Sequence, residues 1–369
     1  MRLSFRPRWR ILGVVVCLAA CASPAGSPAT NPSAATSTAA ASVGTTTGVP
    51  TSDPSVGQSE EPTIAPSDAP APSSDPSSPA PSLDDRVRVV TVETVDERTR
   101  DLMIETPSLP NLVGVRLLLP AGFETEPDRQ WPVLYLLHGA GGGDDSYLSW
   151  VYGTDVQALV APTNLLVVMP QGDGFGWYSD WWNGGNGGPP MWETFHLTEL
   201  MAILERDWRA GDQRAIAGLS MGGYGAMVYA ARHPGMFKAA ASFSGPLDIL
   251  GEKDSGLLGN DVATWGDPVE QVDVWRAHNP IDLADALRGT TLYVSYGEGG
   301  QGPLDPDPVG DDGEAFRAIG NRAFVDRLEE LGIPATVDAY GPGTHTWPYF
   351  ERALHESLPL LLEAVGEVG

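Results

Sequence analysis

Gly218-Leu219-Ser220-Met221-Gly222 is the stretch on which the reading of this chain turns. It fits Gly-x-Ser-x-Gly, the pattern of a serine held on a sharp strand-to-helix turn, and Gly223 extends the run. A five-residue match is common by chance, so its flanks decide. Residues 214–217 read as a short buried strand, and residues 222–233 (Gly-Gly-Tyr-Gly-Ala-Met-Val-Tyr-Ala-Ala-Arg-His) read as a helix. Strand, turn and helix together push a serine oxygen out beyond the edge of a sheet. The glycines let strand and helix approach closely while Ser220 takes a strained conformation. The bland alternative, a glycine-rich turn with an incidental serine, is disfavoured by these flanks.

On either side of this turn, apolar β-rich runs alternate with helical stretches. Strands are expected at 88–93, 114–119, 133–137, 165–169, 215–217, 239–243, 291–296 and 335–340. Several are nearly continuous in apolar residues, as central strands covered on both faces must be. Helices are expected at 193–208, 222–233, 313–331 and 348–368, with Gly332 and Pro334 stopping the third. This alternation predicts an α/β class with a mostly parallel central sheet and helices on both faces. With the serine turn, it is an α/β-hydrolase fold, and the two N-terminal strands are expected at an antiparallel edge.

A serine hydroxyl needs an adjacent base to act as a nucleophile. In this fold the chain order is serine, acid, histidine. His138 and His196 precede the serine and are poor candidates. His233 ends the helix of the turn, His278 precedes Asn279-Pro280, and His355 lies inside the last helix. His345 sits in Gly341-Pro342-Gly343-Thr344-His345-Thr346-Trp347, between the last strand and the last helix, where the fold delivers its base. The acid is not selected by pattern: Glu298, Asp305, Asp307, Asp311, Asp312 and Glu314 all follow the 291–296 strand. Such an acidic loop is usually a solvated one, and it lacks EF-hand spacing. The oxyanion site needs two backbone donors. Met221 follows the nucleophile, and Ala140, in Leu136-Leu137-His138-Gly139-Ala140-Gly141-Gly142-Gly143, is the second. Those glycines do not form a phosphate cradle, because no Lys-Ser/Thr follows them.

The ends of the chain carry different information. Arg2, Arg6, Arg8 and Arg10 precede an apolar run over 11–20 that is too short to span a bilayer. The run closes in Leu18-Ala19-Ala20-Cys21, which resembles a bacterial lipoprotein signal and implies cleavage before Cys21 and lipidation of that residue. The two cysteines, Cys17 and Cys21, both lie here, so the remainder has no disulfide and no thiolate metal site. Residues 22–83 are almost all Ala, Ser, Thr, Pro and Gly with a few acids and no Lys or Arg. They cannot bury enough apolar surface to offset their ordering entropy. The expected organisation is a signal peptide over 1–20, a lipidated Cys21 with a tether over 21–83, and one catalytic domain over 84–369. The formal charge of −26 argues against nucleic acid and against charge-driven binding to anionic headgroups. The membrane partner is expected through the lipid on Cys21, which places the domain on the extracytoplasmic face.

The domain resembles the esterase D-like serine hydrolases, nearest their branch of secreted mycolyltransferases, the mycobacterial fibronectin-binding antigen complex. The markers run from about Trp131 to Leu360. They are Leu136-Leu137-His138-Gly139, Met169-Pro170, Tyr178-Ser179-Asp180-Trp181, Trp192-Glu193-Thr194-Phe195, Gly218-Leu219-Ser220-Met221, Trp265-Gly266, Asn279-Pro280 and Gly343-Thr344-His345-Thr346-Trp347. The family places its acid as a Glu on a helix about thirty residues before the histidine. Glu314 matches that position, with Asn321 and Phe324 also in register. The resemblance thus implies an acyl-enzyme on Ser220, His345 as base and Glu314 as its orienting acid. Where this chain has His138 the mycolyltransferases have an acid, and where it has Gly141-Gly142-Gly143 they have an arginine-containing loop. Those positions help hold trehalose in that branch, so simple ester hydrolysis becomes the expected activity. His138, Asp180, Trp181 and Trp347 are the candidate substrate contacts, and the Trp-rich stretch 171–192 reads equally as a platform or as core. No metal or organic cofactor is called for. The expected substrate is a carboxylic ester of a lipid or carbohydrate. Two rival readings are acyl transfer to a sugar hydroxyl and a non-catalytic surface-binding protein on the same fold. Residues 251–274 are a candidate lid.

Overall fold

Apolar runs with β-branched residues become the centre of a single sheet. The computed structural model describes residues 86–305 and 312–367. The signal segment, Cys21, the tether, Asp307 and Asp311 lie outside the described residues. Among the described residues the strands are β1 (Arg88–Thr94), β2 (Thr99–Glu105), β3 (Val113–Leu118), β4 (Trp131–Leu137), β5 (Leu166–Pro170), β6 (Ala210–Leu219), β7 (Ala239–Phe243), β8 (Thr291–Tyr296) and β9 (Thr336–Ala339). Their spatial order is β1-β2-β3-β5-β4-β6-β7-β8-β9. From β5 to β9 every pairing is parallel, whereas β1, β2 and β3 add an antiparallel edge.

Period-two alternation in the central strands sends residues to two separate cores. Val133, Tyr135 and Leu137 of β4 join one face; Leu134 and Leu136 join the other. The first face is covered by the helical stretch 192–208, by α1 (Met221–Arg232) and by α2 (Asp312–Leu331). The second is covered by α3 (Trp347–Ala364) and by Trp150 and Val156. β6 proves longer than the expected 215–217, beginning at Ala210.

β2 is an element that sequence patterning missed. Its Thr-Arg-Asp-Leu-Met-Ile-Glu mixes charges with apolar residues. Leu102 and Ile104 are fully buried, while Asp101 pairs across the ladder with Arg116, with Nη2 to Oδ2 at 2.6 Å. The charge that hides the strand in sequence is neutralised by its neighbour. The stretch 192–208 also departs from expectation, with π-helical turns over Phe195–Leu200 between α-helical ends. That irregularity is invisible to propensity, and it lies on the segment that carries His196 inward.

The order of the strands positions the site. After β4 the chain turns to β5 on one side, and after β6 it turns to β7 on the other. The loops leaving the carboxyl ends of β4 and β6 therefore diverge, which opens a crevice there. Ser220 stands at that end of β6.

Candidate active site

The serine turn is tight because two glycines permit it. A Cβ at Gly218 would sit 2.2 Å from the Gly222 carbonyl oxygen, and one at Gly222 would sit 2.2 Å from that of Leu137. Glycines in a helix interior cost about 1 kcal/mol each relative to alanine. Here that cost is offset by burial of α1 from Met221 to Ala231. Ser220 has φ 51° and ψ −121°, a region that L-residues avoid, and its N–H donates to the Phe243 oxygen at 2.8 Å.

His345 reaches the same crevice from the loop between β9 and α3. Its Nδ1 lies 2.6 Å from Glu314 Oε2, and its ring meets Phe350 edge-on at 5.0 Å. Thr344 beside it donates to Asp305, which also accepts from the Gly302 N–H at 2.7 Å and from the Tyr349 hydroxyl at 3.1 Å. Asp305, one of the carboxylates that sequence could not rank, thus fastens the histidine loop rather than facing the imidazole. These hydrogen bonds keep its carboxyl below the usual range, although burial works against them.

Glu314 is wholly buried in the first turn of α2, where the helix dipole favours an anion. Its Oε1 accepts from Ser244 Oγ at 2.6 Å, the Gly297 N–H at 2.6 Å and the Tyr340 hydroxyl at 3.0 Å. Oε2 is left for His345. Burial, then the Glu314 charge, pushes the Tyr340 hydroxyl far above its ordinary range, so it stays a donor. Ser244, Gly297 and Tyr340 were not singled out from sequence. Each follows or ends a strand, but nothing local links them to Glu314.

Ser220, His345, Ala140, Trp347 and Phe350 line one cavity of ≈340 Å³ with the glycines after β4. Among the described residues the Met221 and Ala140 amides have no backbone acceptor. The two expected oxyanion donors are thus uncommitted, and Ala140 lines the cavity. Trp347 forms one wall, packed edge-on against Trp150 at 5.7 Å and Phe350 at 6.1 Å. A larger cavity of ≈480 Å³ opens at the other end of the sheet, between residues 288–292 and 332–336, and its lining has no serine, cysteine, histidine or carboxylate.

Three expected substrate contacts are placed elsewhere. The Asp180 carboxylate accepts from the Thr194 N–H at 3.0 Å and the Thr194 hydroxyl at 2.6 Å, which caps the start of the 192–208 stretch. Trp181 packs on the core and donates its indole N–H to the Gly176 oxygen at 3.0 Å. Trp177 and Trp192 are buried core, which favours packing for much of the Trp-rich stretch. His138 is 1% exposed with both ring nitrogens engaged, so it cannot present an edge to substrate. The candidate lid packs inward through Trp265 and through the Gly259 oxygen on the Trp177 indole, and none of its residues lines the cavity.

Of the other histidines, His196 is buried between the Gln171 oxygen at 2.8 Å and the Tyr229 hydroxyl at 2.9 Å. His233 bonds Glu193 at 2.7 Å, and His278 bonds the Val274 oxygen at 2.8 Å. Asp155, Glu351 and His355 have the composition of a metal site, with ligand atoms within 4.8 Å of one another. They already satisfy one another by hydrogen bonds and do not line the cavity.

Burial pushes His138 down to about 4 and His196 down to about 3. In the unfolded chain both titrate near the ordinary histidine value of about 6.5. Below that pH the unfolded state binds protons that the folded state declines, so stability falls as pH falls from about 6.5 toward about 4. His138 alone is expected to remove roughly 3 kcal/mol over that window. Urea midpoints at pH 7.5 and 4.5 measure the loss, and His196→Gln should flatten the slope. A pH-independent midpoint would overturn the assignment.

The Esterase family model matches residues 106–361. Esterase Rv1288 of Mycobacterium tuberculosis is 33% identical over 270 residues, covering 67% of this chain and 56% of that protein. The chain thus spans little more than half the length of that relative. The diacylglycerol acyltransferase/mycolyltransferase Ag85B of Mycolicibacterium smegmatis is 32% identical over 259 residues, covering 63% of this chain and 77% of that one. The crystal structure of Mycobacterium tuberculosis MPT51 (FbpC1) superposes with a TM-score of 0.60 at 26% identity, covering 74% of this chain and 100% of that chain. A ferulic acid esterase, at 24% identity and a TM-score of 0.55, shares the fold, with 76% and 99% covered.

Proposed function

The chain belongs to the Esterase family, and from that premise we propose that it is an exported serine esterase hydrolysing carboxylic esters through an acyl-enzyme on Ser220. The observation that carries the reading is a His345 held by the buried Glu314 and lining one cavity with a strained Ser220. Ser220 Oγ attacks the ester carbonyl and His345 Nε2 takes its proton. Glu314 keeps the His345 proton on Nδ1 and stabilises the imidazolium. The Ala140 and Met221 amides receive the carbonyl oxygen as it becomes negative. His345 returns the proton to the departing alcohol, and water then releases the acid by the same steps reversed.

Hydrolysis of p-nitrophenyl esters of graded chain length tests the reading, with no turnover of any ester as the overturning result. The indole of Trp347 limits the cavity, so Trp347→Ala should favour longer acyl groups. The octanoyl-to-acetyl ratio of kcat/KM is expected to rise about tenfold, since one methylene in a pocket is worth about 1–3 kcal/mol. An unchanged profile would place the acyl chain elsewhere.

The similarity to Ag85B favours acyl transfer to a sugar hydroxyl as a second reading. Adding sugar acceptors during turnover separates the two: diversion of product from free acid to sugar ester supports transfer. A folded protein unreactive toward a fluorophosphonate probe supports binding without catalysis. For location, the basic run and Leu18-Ala19-Ala20-Cys21 support a lipid anchor on the extracytoplasmic face. Cys21→Ser is expected to abolish incorporation of labelled palmitate and to move the protein out of the membrane fraction. Unchanged labelling would overturn the anchor.

A further inference from the structure

His138 occupies a place that neither contacts substrate nor merely fills space. The Gly172 backbone N–H lies 2.7 Å from its Nε2. A backbone N–H can only donate, so Nε2 carries no proton, and the neutral ring holds its proton on Nδ1. That Nδ1 lies 2.7 Å from the Gly139 oxygen and donates to it. The Gly139 carbonyl and the Ala140 N–H belong to one trans peptide group and point in opposite directions. Holding the carbonyl toward the imidazole therefore turns the Ala140 N–H the other way, and Ala140 lines the cavity beside Ser220.

The neighbouring groups are tied in the same manner. The His138 oxygen accepts from the Tyr178 hydroxyl at 2.9 Å, and the Gly141 N–H donates to the Gly174 oxygen at 2.8 Å. The loop after β4 is thus bound on both sides of one peptide, and His138 supplies the bond to that peptide itself. Burial keeps the ring neutral, as the donor–acceptor pattern requires.

We infer that His138 is a positioning residue of the reaction: its neutral imidazole orients the Gly139–Ala140 peptide so that the Ala140 N–H meets the developing oxyanion. This rests on the esterase reading above.

Two substitutions divide the two bonds of the ring. Asparagine places an N–H where Nδ1 stands and keeps the donor to Gly139. Glutamine places an oxygen where Nε2 stands and keeps the acceptor for Gly172, but loses the donor to Gly139. His138→Gln is expected to lower kcat by about ten- to a hundredfold, somewhat less than deleting an oxyanion donor, with KM nearly unchanged. His138→Asn should recover most of that loss. An alkyl boronic acid, whose tetrahedral adduct presents an oxygen to the same amides, should bind His138→Gln more weakly by a similar factor. Equal losses in the two folded variants, or a rise in KM alone, overturn the inference. Should the glutamine variant not fold, nitrogen-15 spectra of wild-type histidines decide: Nδ1–H with bare Nε2 at His138 supports it, and Nε2–H overturns it. Wild-type protein that turns over no ester overturns the esterase reading instead. An active wild type without the Gln/Asn difference overturns only the role of His138.

Discussion

Ser220→Ala is expected to lower kcat for a short p-nitrophenyl ester by roughly 10⁶-fold, the scale seen when a triad nucleophile is deleted. Among the described residues the neighbouring hydroxyls are engaged: Ser149 and Thr346 also line the cavity, but Ser149 Oγ donates to the Ser146 oxygen at 2.7 Å and Thr346 Oγ1 lies 3.0 Å from Thr344 Oγ1, and the hydroxyls of Ser244 and Thr344 are committed to Glu314 and Asp305. Fluorophosphonate labelling should disappear in the same variant. Stability should hardly change, because alanine inherits the strained φ of 51°. Ser220→Gly supplies the internal control. It is equally inactive, yet it should gain about 1 kcal/mol or more of stability by releasing backbone strain. Appreciable turnover or labelling in folded Ser220→Ala would remove the serine mechanism.

Glu314→Gln is expected to lower kcat by about 10⁴-fold with little change in KM, for a reason the donors around it dictate. The Gly297 N–H is part of the backbone and cannot be turned away from the side chain at 2.6 Å. The new amide must therefore put its oxygen where Oε1 stands and its NH₂ toward His345 Nδ1. Nδ1 then has to accept, and the imidazole proton moves to Nε2, where it blocks uptake of the serine proton. Because the oxygen still satisfies Gly297, Ser244 and Tyr340, urea midpoints should stay close to wild type. A folded variant with near wild-type kcat would show that another acid orients His345.

These two predictions differ in how far the chain alone led to them. That Ser220 and His345 meet in one cavity was legible because their signals are local. A serine between glycines at a strand–helix junction, and a histidine in a Gly/Pro loop before the last helix, follow from short-range sterics and chain order. The parallel sheet was legible for a similar reason, since strands buried on both faces must be apolar throughout. Glu314 was not legible by pattern. Six acids follow β8, and only resemblance to a family singled this one out. The pocket of donors at Oε1 is assembled from Ser244 after β7, Gly297 after β8 and Tyr340 after β9, which meet only once the sheet is formed. β2 escaped notice because its charges break the apolar pattern, and only the formed sheet sets Asp101 opposite Arg116.

His138 shows where local reading ends. Its place beside the glycine loop was evident, and a substrate contact was a reasonable expectation there. The direction of its ring depends on an amide 34 residues further along the chain. Asp180 and Trp181, expected at the substrate, are engaged within their own segment, Asp180 by Thr194 and Trp181 by the Gly176 oxygen. Composition, periodicity and glycine placement settled the fold class and pointed to Ser220 and His345 as the candidate nucleophile and base, because those are signals of neighbouring residues. Which carboxylate faces the imidazole, which amides are free, and whether a polar side chain faces substrate or scaffold are properties of groups distant in sequence. Only folding brings such groups within hydrogen-bonding range.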